Sequence, residues 1–168
     1  EARKGYGDSI PSNELLPKER IMKYYILINQ KYGIDTYRIV QENPYQMAED
    51  ITVVGFKIAD EIARRVGIHT DSDFRIRSGI LYVLQQSAGE GNTCLPKEIL
   101  TRRACDLLDV LPEHIEKHYM DMGIDRKIVL KEMDGTVYVY ASTYYYMEAN
   151  AAAMLQGLHV TYDVSDTE

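Results

Sequence analysis

The sequence predicts a mainly α protein: a helix-hairpin-helix bundle followed by a winged-helix-like unit with one β-hairpin. Three observations lead there. In "ITVVGFKIADEIARRVGI" (51–68), apolar residues run into Gly55 and then recur at Ile58, Ala59, Ile62, Ala63 and Val66. That spacing of three and four marks one face of a helix that begins at the glycine. In "KIVLKEMDGTVYVYA" (127–141), β-branched residues and tyrosines alternate around Asp134-Gly135, a hairpin signal. Between these two stretches the order is helix, short strand, helix, helix, hairpin, which is that of a helix-turn-helix with a β wing added.

Taken in order, residues 1–16 carry Gly, Pro, Ser and Asn without periodicity and are expected to be loose. "PKERIMKYYILINQKYG" has Pro17 at a first helical position and Gly33 as a C-terminal stop, with apolar residues at 21, 24, 25 and 28. A short helix is expected over 35–42, and Asn43-Pro44 offers a cap and a proline start to another over 44–50. A tight turn at 51–55 leads into a helix over 56–66, stopped by Gly67. Residues 74–89 read as a buried helix ending on Gly89, and "NTCLP" (92–96) as a short strand. An amphipathic helix over 96–110 and a helix from Pro112 to Gly123 come before the hairpin. Ser142 is an N-cap candidate for a last helix over 142–157, and 158–168 forms a polar tail. The expected regions are thus 1–16, a helix-hairpin-helix region over 17–70, a winged-helix-like domain over 71–141, the helix 142–157 and the tail.

The chain has 168 residues, 45% of them hydrophobic, enough to bury a core in one ordinary domain or two small ones. A net charge of −7 argues against a protein that is basic all over and coats nucleic acid. The charge is uneven: residues 55–103 hold 8 Lys/Arg against 6 Asp/Glu, whereas 104–168 hold 4 against 12. An anionic partner should therefore meet the middle third and be repelled by the last. Cys94 and Cys105 form no C-x-x-C pair and fit two buried or half-buried thiols in a reducing cytosol. No apolar run approaches the length of a membrane span, and no basic-then-apolar start marks a signal peptide. A chain that opens on Glu and closes on "DVSDTE" reads as a piece of something longer.

The opening stretch also carries the strongest candidate site. A turn leading into a helix N-terminus presents backbone N–H groups, and the helix dipole favours an anion there. A glycine lets a phosphate approach the backbone closely. The candidate donors are the N–H groups around Val54, Gly55 and Phe56, with Lys57 in the first turn and Arg64 and Arg65 two turns on. Arg75, Arg77, Arg102 and Arg103 could extend a basic face. A structural hairpin with a solvated lysine is the plainer alternative.

Other signals carry less. His114 and His118 stand at i, i+4, but Ile115 follows the first, so this is not H-E-x-x-H, and no third metal ligand is evident. Two exposed histidines on an acidic helix is the reading they receive. No G-x-x-x-x-G-K-[ST] or G-x-G-x-x-G occurs, so no nucleotide-hydrolysis motif is present and no catalytic residue is assigned. The helix from Pro112, which a DNA-reading winged helix would lay in the major groove, holds Glu113, Glu116 and Asp121 against Lys117 alone. That balance argues for a spacer or protein-docking unit. Tyrosines at 138, 140, 144, 145 and 146 read as a sheet-to-helix core.

Residues 32–68, "YGIDTYRIVQENPYQMAEDITVVGFKIADEIARRVGI", resemble the helix-hairpin-helix region in the N-terminal part of long RecD-like DNA helicases, related to the alpha chain of exodeoxyribonuclease V. The anchors are Tyr32-Gly33, Asn43-Pro44-Tyr45, Gly55-Phe56-Lys57, Ala59-Asp60 and Ile62-Ala63. The likeness continues through "RIRSGILYVLQQSAGEGNTCLP" (75–96) and "VYVYASTYYYMEANAA" (137–152). Three departures stand out. Val53 replaces the first glycine of the usual Gly-apolar-Gly hairpin, Asn92 replaces the strand-segment histidine, and the upstream counterpart "NELLPK" (13–18) has no glycine.

The resemblance implies a non-catalytic accessory region that contacts the DNA backbone without reading sequence, in repair or recombination. The DNA would be single-stranded or forked. The parent would be an ATP-dependent cytoplasmic helicase, with ATP and Mg2+ bound by motor domains of the same chain beyond this stretch, and the fragment itself would hold no cofactor, metal or membrane contact. Residues 142–157 would lead toward that motor. A rival reading makes the region a protein-interaction module, docked on the motor or on a repair partner, with the hairpin only structural.

Overall fold

The computed structural model describes residues 17–158; the expectations for 1–16 and for the tail past 158 lie outside them, as does the upstream counterpart over 13–18 apart from its last two residues. The chain divides into two compact units between His69 and Thr70. The first holds α1 (Pro17–Tyr32), a short 3-10 turn (Gly33–Asp35), α2 (Thr36–Glu42), α3 (Gln46–Asp50) and α4 (Phe56–Arg65). Gly33 and Gly67 both take left-handed backbone (φ +54° and +84°), as chain-reversing stops require. At the second, Ile68 N–H reaches back to Ala63 O at 3.0 Å, closing the end of α4. The core of this unit is built from Ile28, Ile39, Met47, Ile51 and Val54, with Tyr24, Leu27, Ile58 and Ile62 packed against it.

The second unit runs α5 (Asp73–Gly89), β1 (Cys94–Pro96), α6 (Lys97–Leu108), α7 (Pro112–Glu116), α8 (His118–Ile124), β2 (Ile128–Met133), β3 (Thr136–Ala141) and α9 (Ser142–Gly157). The three strands form one antiparallel sheet in the order β1-β3-β2, the wing of a winged helix. Its register pairs Leu95 with Val139 and Leu130 with Val139 from the other side. Asp134 and Gly135 are both left-handed (φ +50° and +75°), the backbone of a tight two-residue hairpin turn. Leu95, Ile128 and Val139 of the sheet are buried, as are Ile76, Ile80 and Leu84 of α5, whose spacing of four supplies one apolar face, and α5 packs on β1 and β3. Each such fully buried aliphatic side chain contributes about 1.5–3 kcal/mol.

Four local expectations are corrected. Asn43 does not cap α3: its Oδ1 is buried without a partner, and backbone bonds from Gln46 and Met47 to the Asn43 and Pro44 carbonyls start the helix instead. Gly89 is helical; the stop is Gly91 (φ +94°), where Asn92 N–H bonds to Ser87 O at 2.9 Å. The helix expected over 112–123 lapses at Lys117, whose N–H reaches Glu113 O only at 3.4 Å, and it ends through left-handed Arg126 rather than at Gly123. Gly123 instead faces Leu130 of β2, with its missing Cβ 3.4 Å from that side chain. Ala141, not Ser142, caps α9; the Ser142 N–H donates to Lys127 O at 3.1 Å while its hydroxyl is buried without a partner.

His118 also departs from expectation. It is buried beside Ile115, Tyr119 and Met122, with Nε2 3.2 Å from Asp73 Oδ1 but without hydrogen-bond geometry. Burial holds its pKa below the usual 6.5, outweighing the pull of Asp73 and Asp121 and adding to the push from Lys117 and Arg77. A histidine kept neutral in the fold binds fewer protons than its unfolded counterpart, so its contribution is complete above the ordinary histidine range and is lost as pH falls through it. Urea midpoints should therefore fall between about pH 7.5 and about pH 5, and His118→Gln should flatten that slope. Equal slopes in the two proteins would show that His118 is not the titrating group.

Candidate nucleic-acid interface

The hairpin of the first unit is Ile51–Gly55 leading into α4. Val54 is fully buried and plugs the core, and its N–H bonds to Ile51 O at 2.8 Å. The Val54 N–H is therefore not an open donor, which corrects the expectation for that residue. Gly55 is the N-cap, with φ −74° and ψ 169°, and no side chain caps α4. Its backbone suits any residue, and a Cβ there would have nothing within 4 Å. The Gly55 and Lys57 N–H groups have no backbone acceptor among the described residues. This end of α4 is open, uncapped and exposed, whereas the Phe56 ring between the two donors is buried.

What fixes that ring is a cluster of three of the anchors. Tyr45 stacks on Phe56 with ring centroids 5.9 Å apart and donates its hydroxyl to Asp60 Oδ1 at 2.8 Å. Both rings are 3% exposed, so α3 and the first two turns of α4 are locked together. Elsewhere in the unit Tyr32 donates to Asp50 at 2.7 Å, tying α1 to α3. Burial and the Asp50 carboxylate raise the Tyr32 phenol well above its ordinary range, so it stays a donor.

The charges along α4 are organised by helical spacing. Arg64 lies 3.5 Å from Asp60 and Arg65 2.7 Å from Glu61, each one turn back. Glu61 is also the carboxylate one turn beyond Lys57. Arg65 engages that carboxylate, and Lys57 is exposed and forms no ion pair among the described residues. Lys57 and Arg64, seven residues apart, share a face about 10 Å along the axis. Arg64 and Arg65 thus sit at the far end of α4 from the open turn, though still exposed at 74% and 59%.

The four arginines proposed as an extension lie in the second unit and divide sharply. Arg75 is 8% exposed and donates from Nη1 to Thr70 O and Leu108 O, both at 2.8 Å, so it belongs to the interior rather than to a basic face. Arg77 pairs with Asp125, and Arg103 with Glu90 at 3.0 Å. Arg102 is exposed and forms no ion pair among the described residues. Among those residues no group of three His, Cys, Asp or Glu is arranged to hold a metal ion, and no helix is long and apolar enough to cross a membrane.

Residues 19–94 match the family model of the ATP-dependent RecD2 DNA helicase HHH domain. This stretch is a helix-hairpin-helix region of the RecD2 type. The match covers α4 and its open turn and extends through α5 of the second unit to the first residue of β1. The coarse role that accompanies a RecD-type region is that of a DNA-binding accessory part of a helicase. Tyr45, Asp60 and Glu61 had no part in the site as read from charge and turn alone. Asp60 and Glu61 could have been found from the i, i+4 spacing to Arg64 and Arg65, but the Tyr45–Phe56 stack has no periodic signal.

Proposed function

We propose that the RecD-type hairpin holds the sugar-phosphate backbone of DNA without reading its sequence. A phosphate would lie at the Gly55 and Lys57 N–H groups, with the Lys57 ammonium beside it and Arg64 and Arg65 further along the same helix. The observation that carries this is the uncapped start of α4, where the space a Cβ would fill is empty and the helix dipole favours an anion. The Arg65–Glu61 pair is exposed on both sides and worth little, so Arg65 can exchange its carboxylate for phosphate at small cost. Arg64 lies 3.5 Å from the mostly buried Asp60, which keeps its bond from Tyr45 if Arg64 turns to a phosphate. The parent is proposed to be a cytoplasmic, ATP-driven helicase of repair or recombination, tracking along single-stranded or forked DNA. Its motor domains would supply the ATP and Mg2+ chemistry and would adjoin this region.

Fluorescence anisotropy with labelled single-stranded, duplex and forked DNA tests the reading at low and near-physiological salt. Weak binding that falls with salt is expected, with little dependence on base sequence. Lys57→Glu should weaken it roughly tenfold and reduce the salt slope by about one. Arg64→Glu/Arg65→Glu should weaken it less per residue, because those cations are already half-spent on Asp60 and Glu61. Unaltered binding in Lys57→Glu would overturn the assignment of the phosphate to this turn.

A further inference from the structure

We infer that the outward face of α7 and α8 is a docking surface for a basic, amphipathic helix of a partner protein. The inference is independent of DNA binding at the hairpin. In a winged helix this is the segment turned outward to its target, and here its chemistry is reversed. Inward it buries Ile115, His118, Tyr119 and Met122. Outward it presents Met120 and Ile124, 70% and 75% exposed and one turn apart. Glu113 and Glu116 of α7 and Asp121 of α8 are exposed on the same segment, Glu116 one turn before Met120 in sequence and Asp121 next to it. The one cation of the segment, Lys117, is engaged 3.2 Å from Asp73.

Single exposed apolar side chains are ordinary; an apolar rung beside uncompensated carboxylates is a two-part address. Three occupants can be compared by charge. Nucleic acid would bring phosphates against Glu113, Glu116 and Asp121, while Lys117 is engaged by Asp73 and the next cations, Arg126 and Lys127, come only after α8 ends. A second copy in a two-fold contact would place the same carboxylates against themselves. A partner helix with apolar residues at i and i+4 and Lys or Arg flanking them satisfies both parts, covering Met120 and Ile124 while pairing the acids.

The test uses the full chain and, as probe, a labelled synthetic helical peptide with a Leu stripe at i, i+4, i+7 and flanking lysines. Anisotropy would be read at two salt concentrations, with folding of every variant checked by thermal melting. Met120→Ala/Ile124→Ala and Glu116→Lys/Asp121→Lys are each expected to weaken binding roughly tenfold, the second pair also removing most of the salt dependence. Glu132→Lys, which changes an exposed acid on β2, should leave binding unchanged. The proposal is overturned by no binding at about 100 µM peptide in low salt. It is overturned equally by full binding in Met120→Ala/Ile124→Ala, or by as large a loss in Glu132→Lys.

Discussion

Arg75→Met is expected to lower the free energy of unfolding by about 3 kcal/mol, the order found when a buried charged donor leaves its acceptors unpaired. The guanidinium spans the start of α5 and the end of α6. It donates to two carbonyls, that of Thr70 before the Ser72 cap and that of Leu108, the last residue of α6. A helix-terminal carbonyl has no partner within its own helix and carries the negative end of the dipole, so a cation there answers both needs. Methionine retains the apolar stem but neither hydrogen bond. Lysine keeps the charge and loses the planar fork, so Arg75→Lys should fall between the two. Urea denaturation at neutral pH measures this directly; a loss below about 1 kcal/mol would mean that water reaches both carbonyls.

Gly79→Val should cost at least as much, about 3 kcal/mol or more, through overpacking at the α5–α6 crossing. Glycine inside a helix is ordinarily a loss of about 1 kcal/mol against alanine. Here an added Cβ would stand 2.7 Å and 2.8 Å from the two methyls of Leu108, closer than real atoms approach. Leu108 is 1% exposed, so a shift of its side chain has to be taken up inside the core. The gain in helix propensity from Gly79→Ala is therefore smaller than the clash, and alanine should already destabilise by about 1 kcal/mol. Thermal unfolding of the wild type and the two variants should order them Gly, Ala, Val. A stabilised Gly79→Ala would show that the two helices can part without loss.

Local requirements can be read from one dimension, and contacts between distant segments cannot. Asp134-Gly135 and Gly33 mark left-handed turns because the requirement is local to the residue that meets it. Ile115, His118, Tyr119 and Met122 stand at i, i+3, i+4 and i+7, the spacing of an inner face, so the burial of His118 was legible; the polarity of histidine masked it. The pairing of Arg64 and Arg65 was equally available from their position four residues after Asp60 and Glu61. Arg75 is different: as a member of an arginine-rich stretch it resembles Arg77, and only the arrival of Leu108, 33 residues later, takes it inside. Gly79 likewise has no meaning until α6 is laid across α5.

The uncapped glycine at the start of α4 has a consequence for how the chain can drift. Folding places no demand on Gly55: its backbone is accessible to every residue and the room beside it is vacant. Serine or aspartate there would close a free donor and add about 1 kcal/mol of helix stability over an uncapped terminus. Descendants selected for robustness alone should lose this glycine readily, and those that must still admit an anion should not. The position therefore separates two histories, and Ser or Asp at this site in a related chain would mark a hairpin that has become purely architectural.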